Sequence, residues 1–175
     1  MKEFPKLYTK RLIITKLSDN DIPLLVKYAN NKQISDNIVN IPYPYLEFHA
    51  LMRMGYVLNG FKEQTRYCFA ILLKDSQEFI GEISLHLTDQ TKRIAELAYW
   101  IGEPFWNNGY VSEAIKPVID FGFNAANYKI IYATCKVDNI ASMKVLIKNN
   151  MKKFKETSFQ LSYKITVEEF STYLN

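Results

Sequence analysis

The sequence predicts an α+β fold built on one mixed β-sheet. Three observations lead there. Arg66–Lys74, Phe79–Leu87 and Arg93–Ile101 are apolar runs separated by turn residues, which reads as an antiparallel meander. Arg93 to Val137 then reads strand–helix–strand, a unit whose crossover gives parallel strands. The 175 residues are 48% hydrophobic and 23% charged, the balance of a single globular domain spanning 1–175.

The elements follow in order. Arg11–Lys16 is short and β-branched, hence a strand. Ser18 to Asp21 has the S-x-x-D form of a capping box. It precedes Ile22, Leu25, Val26 and Ala29, an amphipathic helix ending near Asn30. Pro42 and Pro44 punctuate a tyrosine-rich loop, and Glu47 to about Leu58 is a second helix with Leu51, Met54 and Leu58 along one side. Arg66–Lys74 is apolar enough to be buried on both faces, and Asp75-Ser-Gln turns the chain into Phe79–Leu87. Thr88 to Lys92 is a hairpin loop, and Arg93–Ile101 returns. After Gly102-Glu-Pro, the stretch WNNGYVSEAIKPVIDFGF places Ala114, Ile115, Val118, Ile119 and Phe121 at helical spacing. Lys129–Val137 is another strand, Asp138-Asn139 opens a helix to about Asn149, and Lys152–Thr166 is a hairpin. Thr166-Val-Glu-Glu169 caps a short last helix.

Composition narrows the function classes. The net charge of +4 is scattered, with no basic run of the kind that binds nucleic acid. Cys68 and Cys135 sit in apolar strand-like runs, which suits buried reduced thiols. With only His49 and His86 and no CxxC, no zinc ligand set is present. MKEFPKLYTKRL lacks an apolar signal core and no run is long enough to span a bilayer, so a cytoplasmic protein is expected.

Gly109 stands at the mouth of the helix after Asn107 and Asn108. The first turn of a helix carries four amides without internal partners and a positive dipole end. A glycine before it can take φ > 0 and lets an anion approach the backbone. The alternative is a simple turn, with Asn108 or Ser112 as cap. Neither a P-loop nor a dinucleotide fingerprint is present. Pro117 falls inside the helix, so either the helix starts late or it bends there.

Taken together, TKRLIITKL, IGEISLHL, AELAYWIGEPFWNNGYVSEA, FGF and DNIASMKVLIKNNM resemble the GNAT superfamily of acetyltransferases, and within it the RimJ/RimL type. The resemblance runs along almost the whole chain and is strongest from Glu96 to Met151. It implies a splayed mixed sheet with helices on both faces, three layers deep, and acetyl-CoA in the V between two parallel central strands. It implies N-acetyl transfer to a primary amine, either a protein N-terminus or a small amine, by direct transfer in a ternary complex without a metal. The family's phosphate loop, (Arg/Gln)-x-x-Gly-x-(Gly/Ala), falls on Trp106, Asn107, Asn108, Gly109, Tyr110 and Val111, and Ser112 follows. The glycine matches, whereas Trp106 replaces a basic or amide residue and Val111 a small one. Asn139 and Ser142 match the Asn-x-x-Ser motif that steadies the pantetheine arm and approaches the thioester sulfur.

The resemblance assigns the base to Glu96, whose apolar neighbours in AELAYWI also suit a raised pKa. Glu82 in IGEISL is the rival, and a hairpin between the two strands can bring the carboxylates together. Relatives use a tyrosine seven residues after the asparagine as acid, where this chain has Leu146. Ser142 is then the expected donor, with Tyr99, Tyr110 and the Tyr43–Tyr45 loop as other hydroxyls. A main-chain amide near Trp100 and Ile101 is the expected oxyanion donor. The aromatic residues between Asn40 and Phe61 line an amine groove, form a homodimer patch, or simply pack. Leu146 and Val111 also keep open a non-catalytic acyl-CoA sensor of the same fold.

Overall fold

A computed structural model describes residues 3–174 of the chain. Its frame is a single eight-stranded sheet. The strands are β1 (Leu7–Tyr8), β2 (Leu12–Lys16), β3 (Arg66–Leu73), β4 (Phe79–Asp89), β5 (Ile94–Ile101), β6 (Ile130–Lys136), β7 (Lys152–Glu156) and β8 (Gln160–Thr166). They lie in the order β1-β2-β3-β4-β5-β6-β8-β7. Every neighbouring pair is antiparallel except β5 and β6, which run parallel. That exception is the strand–helix–strand unit read from the sequence, with α4 (Tyr110–Asn124) as its crossover.

Side-chain alternation along the strands builds two cores. Tyr67, Phe69 and Ile71 of β3 point to one core, Ala70 to the other. The first core takes α4 and residues of α5 (Ile140–Lys148) and α6 (Val167–Leu174), including Ala114, Ile115, Val118, Leu146 and Phe170. The second takes α1 (Ile22–Ala29), α2 (Lys32–Asn37) and α3 (Glu47–Lys62), including Leu25, Ile34, Ala50 and Met54. Helices therefore cover both faces. Each fully buried Ile, Leu or Phe of these cores contributes about 1.5–3 kcal/mol against conformational entropy.

The expected caps form. Ser18 N–H donates to Asp21 Oδ2 at 2.8 Å, and Thr166 and Glu169 exchange bonds of 3.0 and 3.3 Å. Three details differ from the sequence expectation. The short β1 and α2 were not foreseen; α2 is opened by Asn31, whose side chain accepts from the amides of Gln33 and Ile34. On α3 the buried side is Ala50, Met54, Val57 and Gly60, while Leu51 and Leu58 are exposed. The α4 helix does not start late, since it begins at Tyr110 and Pro117 lies within it. The hairpin register also separates the two glutamates: Glu82 pairs with Trp100, and Glu96 with His86. They share a face but sit roughly 13 Å apart along the strand. Among the described residues no helix is long and apolar enough to cross a membrane.

Candidate active site

The parallel pairing of β5 and β6 lasts only three residues, from Ile94↔Ile130 to Glu96↔Tyr132. Beyond Glu96, β5 pairs only with β4, and beyond Tyr132, β6 pairs only with β8. The two strands thus diverge with bare edges facing each other. Gly102 N–H donates to Ile80 O across β4 at 2.8 Å. By alternation the amide of Trp100 also faces β4, whereas those of Tyr99 and Ile101 face the opening. At the carboxyl end of each diverging strand a helix begins, α4 after β5 and α5 after β6. Ligands of parallel strands bind at such carboxyl ends.

The mouth of α4 has left-handed backbone at Asn107 (φ 60°) and Gly109 (φ 74°). Asparagine tolerates that region and glycine has no penalty there. Gly109 is the N-cap and no side chain caps the helix, so neither Asn108 nor Ser112 does so. Asn108 Nδ2 instead donates to Trp106 O at 2.9 Å. Trp106 donates its indole N–H to Ile101 O at 2.7 Å and packs against both cores. These two side chains hold the loop in shape and leave the first-turn amides of Tyr110, Val111 and Ser112 without a side-chain partner. Tyr110 and Val111 rest partly buried on the first core.

A residue that sequence reasoning missed supplies charge here. Arg11, at the start of β2, lies with its guanidinium carbon 4.4 Å from the centre of the Tyr110 ring. Its Nη2 is 3.8 Å from where a Cβ on Gly109 would be. Glu113 fixes it, accepting from Arg11 Nε at 2.7 Å, Arg11 N–H at 2.8 Å and Thr9 Oγ1 at 2.6 Å. Burial would raise the Glu113 carboxyl, but the bonds from Thr9 and Arg11 together hold it below the usual carboxylate range. The family's basic position is filled by Trp106, and the cation arrives instead from Arg11, just before β2 and 102 residues from its partner Glu113. No local motif signals that. Beside this mouth runs a groove of about 580 Å³, lined by Tyr8, Ser112, Lys116, Lys148 and Phe170 among others.

At the mouth of α5, Asn139 Oδ1 caps the helix by accepting from Ser142 N–H at 3.0 Å. Its Nδ2 donates to Asn37 Oδ1 of α2 at 3.1 Å. Ser142 Oγ lies 2.6 Å from the hydroxyl of Tyr99, so a bond bridges the two diverging elements. Burial pushes the Tyr99 phenol far up despite the Ser142 bond, which keeps it protonated. Burial likewise raises the Cys135 thiol next to it. Leu146, at the relatives' tyrosine position, is fully buried in the first core. Of the other hydroxyls, Tyr45 is buried in the second core and Tyr43 is exposed.

On the face towards α1–α3, Glu96 closes the apex of the opening, and burial raises its pKa. Glu82 lies elsewhere on that face and is 1% exposed. It accepts from Arg53 Nε at 2.7 Å and from Trp100 Nε1 at 2.7 Å. The indole of Trp100 therefore serves Glu82. With its oxygens engaged by the guanidinium and the indole, Glu82 is not open to a substrate, which ranks Glu96 above it. Among the described residues no three His, Cys, Asp or Glu side chains are grouped to hold a metal.

Known proteins resemble this chain in sequence and in fold. The acetyltransferase (GNAT) domain matches residues 11–152. The uncharacterised N-acetyltransferase p20 of Bacillus licheniformis is 30% identical over 141 residues, 80% of this chain and 78% of that protein. The ribosomal-protein-serine acetyltransferase of Escherichia coli is 26% identical over 142 residues, 81% of this chain and 79% of that protein. The structure of Mycobacterium smegmatis RimJ in complex with CoA-disulfide superposes with a TM-score of 0.82 at 17% identity, covering 95% of this chain and 88% of that one.

Proposed function

Because the chain belongs to the GNAT family of N-acetyltransferases, we propose that it carries an acetyl group from acetyl-CoA to a primary amine by direct transfer in a ternary complex. The observation that carries the proposal is the bare-edged opening between β5 and β6, with an uncapped helix N-terminus at its rim. An anion at that rim meets main-chain donors and the positive end of α4. The amides around Asn107 to Ser112 and the Arg11 guanidinium hold the diphosphate. The groove beside them, with Lys116 and Lys148, has room for the nucleoside end. Asn139 and the bare edge of β5 guide the arm into the opening. Acetyl-CoA, when bound there, supplies an activated acyl carbon and a thiolate leaving group.

The chain's own residues then handle the protons. Glu96 takes one from the ammonium, directly or through one water, because only the free amine has a lone pair. The Ile101 amide, pointing into the opening, donates to the carbonyl oxygen as it gains charge. Tyr99, held protonated and bonded to Ser142, donates a hydrogen bond to the sulfur as charge develops on it, with Ser142 orienting the phenol. This gives the donor's role to the Tyr99–Ser142 pair and accounts for Leu146: the phenol comes from β5 instead of α5. The acceptor is a protein N-terminus or a small amine. The E. coli relative is named for a ribosomal protein, which supports a protein acceptor.

The test is release of free thiol from acetyl-CoA when an amine panel is added. Tyr99→Phe is expected to lower kcat by roughly 10- to 100-fold while CoA still binds. An unchanged kcat in that variant removes Tyr99 from the chemistry, and no thiol release against a broad panel overturns the proposal itself.

A further inference from the structure

The row of side chains ending at Glu96 holds a cation that no ion pair neutralises. Arg66 of β3 pairs with His86 of β4, and His86 with Glu96 of β5, so the three lie in line on one sheet face. The neighbouring Arg53 is neutralised by Glu82 at 2.7 Å. For Arg66, no carboxylate among the described residues lies within ion-pair distance. Its Nε donates to His86 Nδ1 at 2.8 Å, and its guanidinium carbon lies 3.6 Å from the centre of the Tyr56 ring.

That arrangement fixes the histidine as well. A nitrogen that accepts from a guanidinium carries no proton, so the imidazole is neutral and its Nε2–H meets Ser84 Oγ at 2.8 Å. Burial first, then Arg66 and Arg53, hold the His86 pKa down at about 4. His86 therefore adds no charge at neutral pH, and it holds Arg66 in one orientation. Glu96 does not act as the counter-charge either, since no ion pair joins it to Arg66. Burial works against the Arg66 charge and Arg53 adds to that, while Tyr56 and Cys68 offset part of it. Gly60 of α3 makes the arrangement possible, since a Cβ there would come 2.7 Å from Arg66 Cβ.

A half-buried guanidinium without a counter-charge is unfavourable until an anion completes the pocket. The cavity it borders, about 60 Å³, is lined by Arg53, Tyr56, Glu82, Ser84 and His86 among others, with the Glu82 charge taken up by Arg53, and it fits a small charged group and no bulky one. We propose that Arg66 selects the acceptor by pairing with a carboxylate carried by the same molecule whose amine faces Glu96. The substrate class is a small primary amine bearing a carboxylate, either a free amino acid or a peptide with an acidic residue beside its N-terminus. The backbones of β3 and β5 are roughly 10 Å apart, and Glu96 lies outside the cavity lining, so such a molecule reaches past His86 from Arg66 to Glu96. This rests on the acetyl-transfer reading above and names its acceptor.

The experiment compares acid and amide partners: free amino acids against their amides, and peptides with aspartate or glutamate at the second position against asparagine or glutamine. Wild type is expected to favour the acids by roughly 10- to 100-fold in kcat/KM, mostly through KM, the range of a charge-assisted bond. Whichever pair shows the preference identifies the source of the carboxylate. Arg66→Gln brings the ratio close to one, and Arg66→Lys restores part of it, which a merely structural loss would not do. Equal rates for acids and amides in wild type, or an unchanged ratio in Arg66→Gln, overturn the proposal. A second readout is independent of turnover: N-acetyl amino acids, added with CoA, raise the Tm of wild type and not of Arg66→Gln. If that shift depends on Arg66 while no acceptor is acetylated, the carboxylate site stands and the transfer reading falls. If transfer proceeds and the shift is the same in both proteins, the carboxylate site falls alone.

Discussion

Glu96→Gln is expected to lower kcat by on the order of 100- to 10,000-fold, with CoA affinity little changed. Glu96 is the last residue of β5 that pairs with β6, so its carboxyl stands where the opening begins. Burial raises its pKa, and a carboxylate with a raised pKa is a better base near neutrality. The sign for pH follows. The base works only when deprotonated, so wild-type kcat/KM falls as pH drops through a value above the ordinary carboxylate range. In Glu96→Gln that acid limb disappears along with most of the rate. Free-thiol kinetics across pH measure both. Full turnover in the variant at neutral pH would move the base elsewhere, to a water chain or to Glu82 after rearrangement of Arg53.

Arg53→Met is expected to cost about 3–5 kcal/mol of stability, the range for removing one partner of a buried ion pair. The Arg53 and Glu82 side chains are only 15% and 2% exposed. With the guanidinium gone, Glu82 keeps the Trp100 indole and a long 3.6 Å contact from the Cys68 thiol. Two neutral donors do not offset a buried negative charge. Native domains are stable by about 5–15 kcal/mol, so this single change removes a large fraction of the total. Urea unfolding measures it. Pairing Arg53→Met with Glu82→Met should recover part of the loss, because the uncompensated carboxylate is its source. A single variant as stable as wild type would show that water reaches Glu82 freely.

Most of the frame was legible because it is written in local patterns. The meander, the parallel crossover and the caps at Ser18 and Thr166 depend on residues close together in the chain. The β1 strand of two residues and the six-residue α2 are too short for periodicity to register. The polarity of α3 was misjudged because its exposed side is also apolar, with Phe48, Leu51, Met52 and Leu58 facing outward. At the candidate site, the glycine at the α4 mouth has a local signature, and its left-handed φ follows from it. Three other features depend on pairing across the fold. Arg11 reaches the α4 mouth from β2, Tyr99 meets Ser142 across the opening, and Arg66 joins the row of Glu96 through His86. A partner on another strand or helix leaves no trace in spacing. The features that kept a non-catalytic sensor open also look different in the fold. Leu146 is a core residue, and Val111 packs on the core while its amide belongs to the helix mouth.

The measurement that bears most directly on this account is a calorimetric titration of the protein with CoA and, separately, with pantetheine, which has the same arm and no diphosphate. If amides near Gly109 and the Arg11 guanidinium grip the diphosphate, CoA binds at least about tenfold more tightly than pantetheine, and Arg11→Ala narrows the difference. Equal affinity for the two ligands, or no binding of CoA, would contradict it.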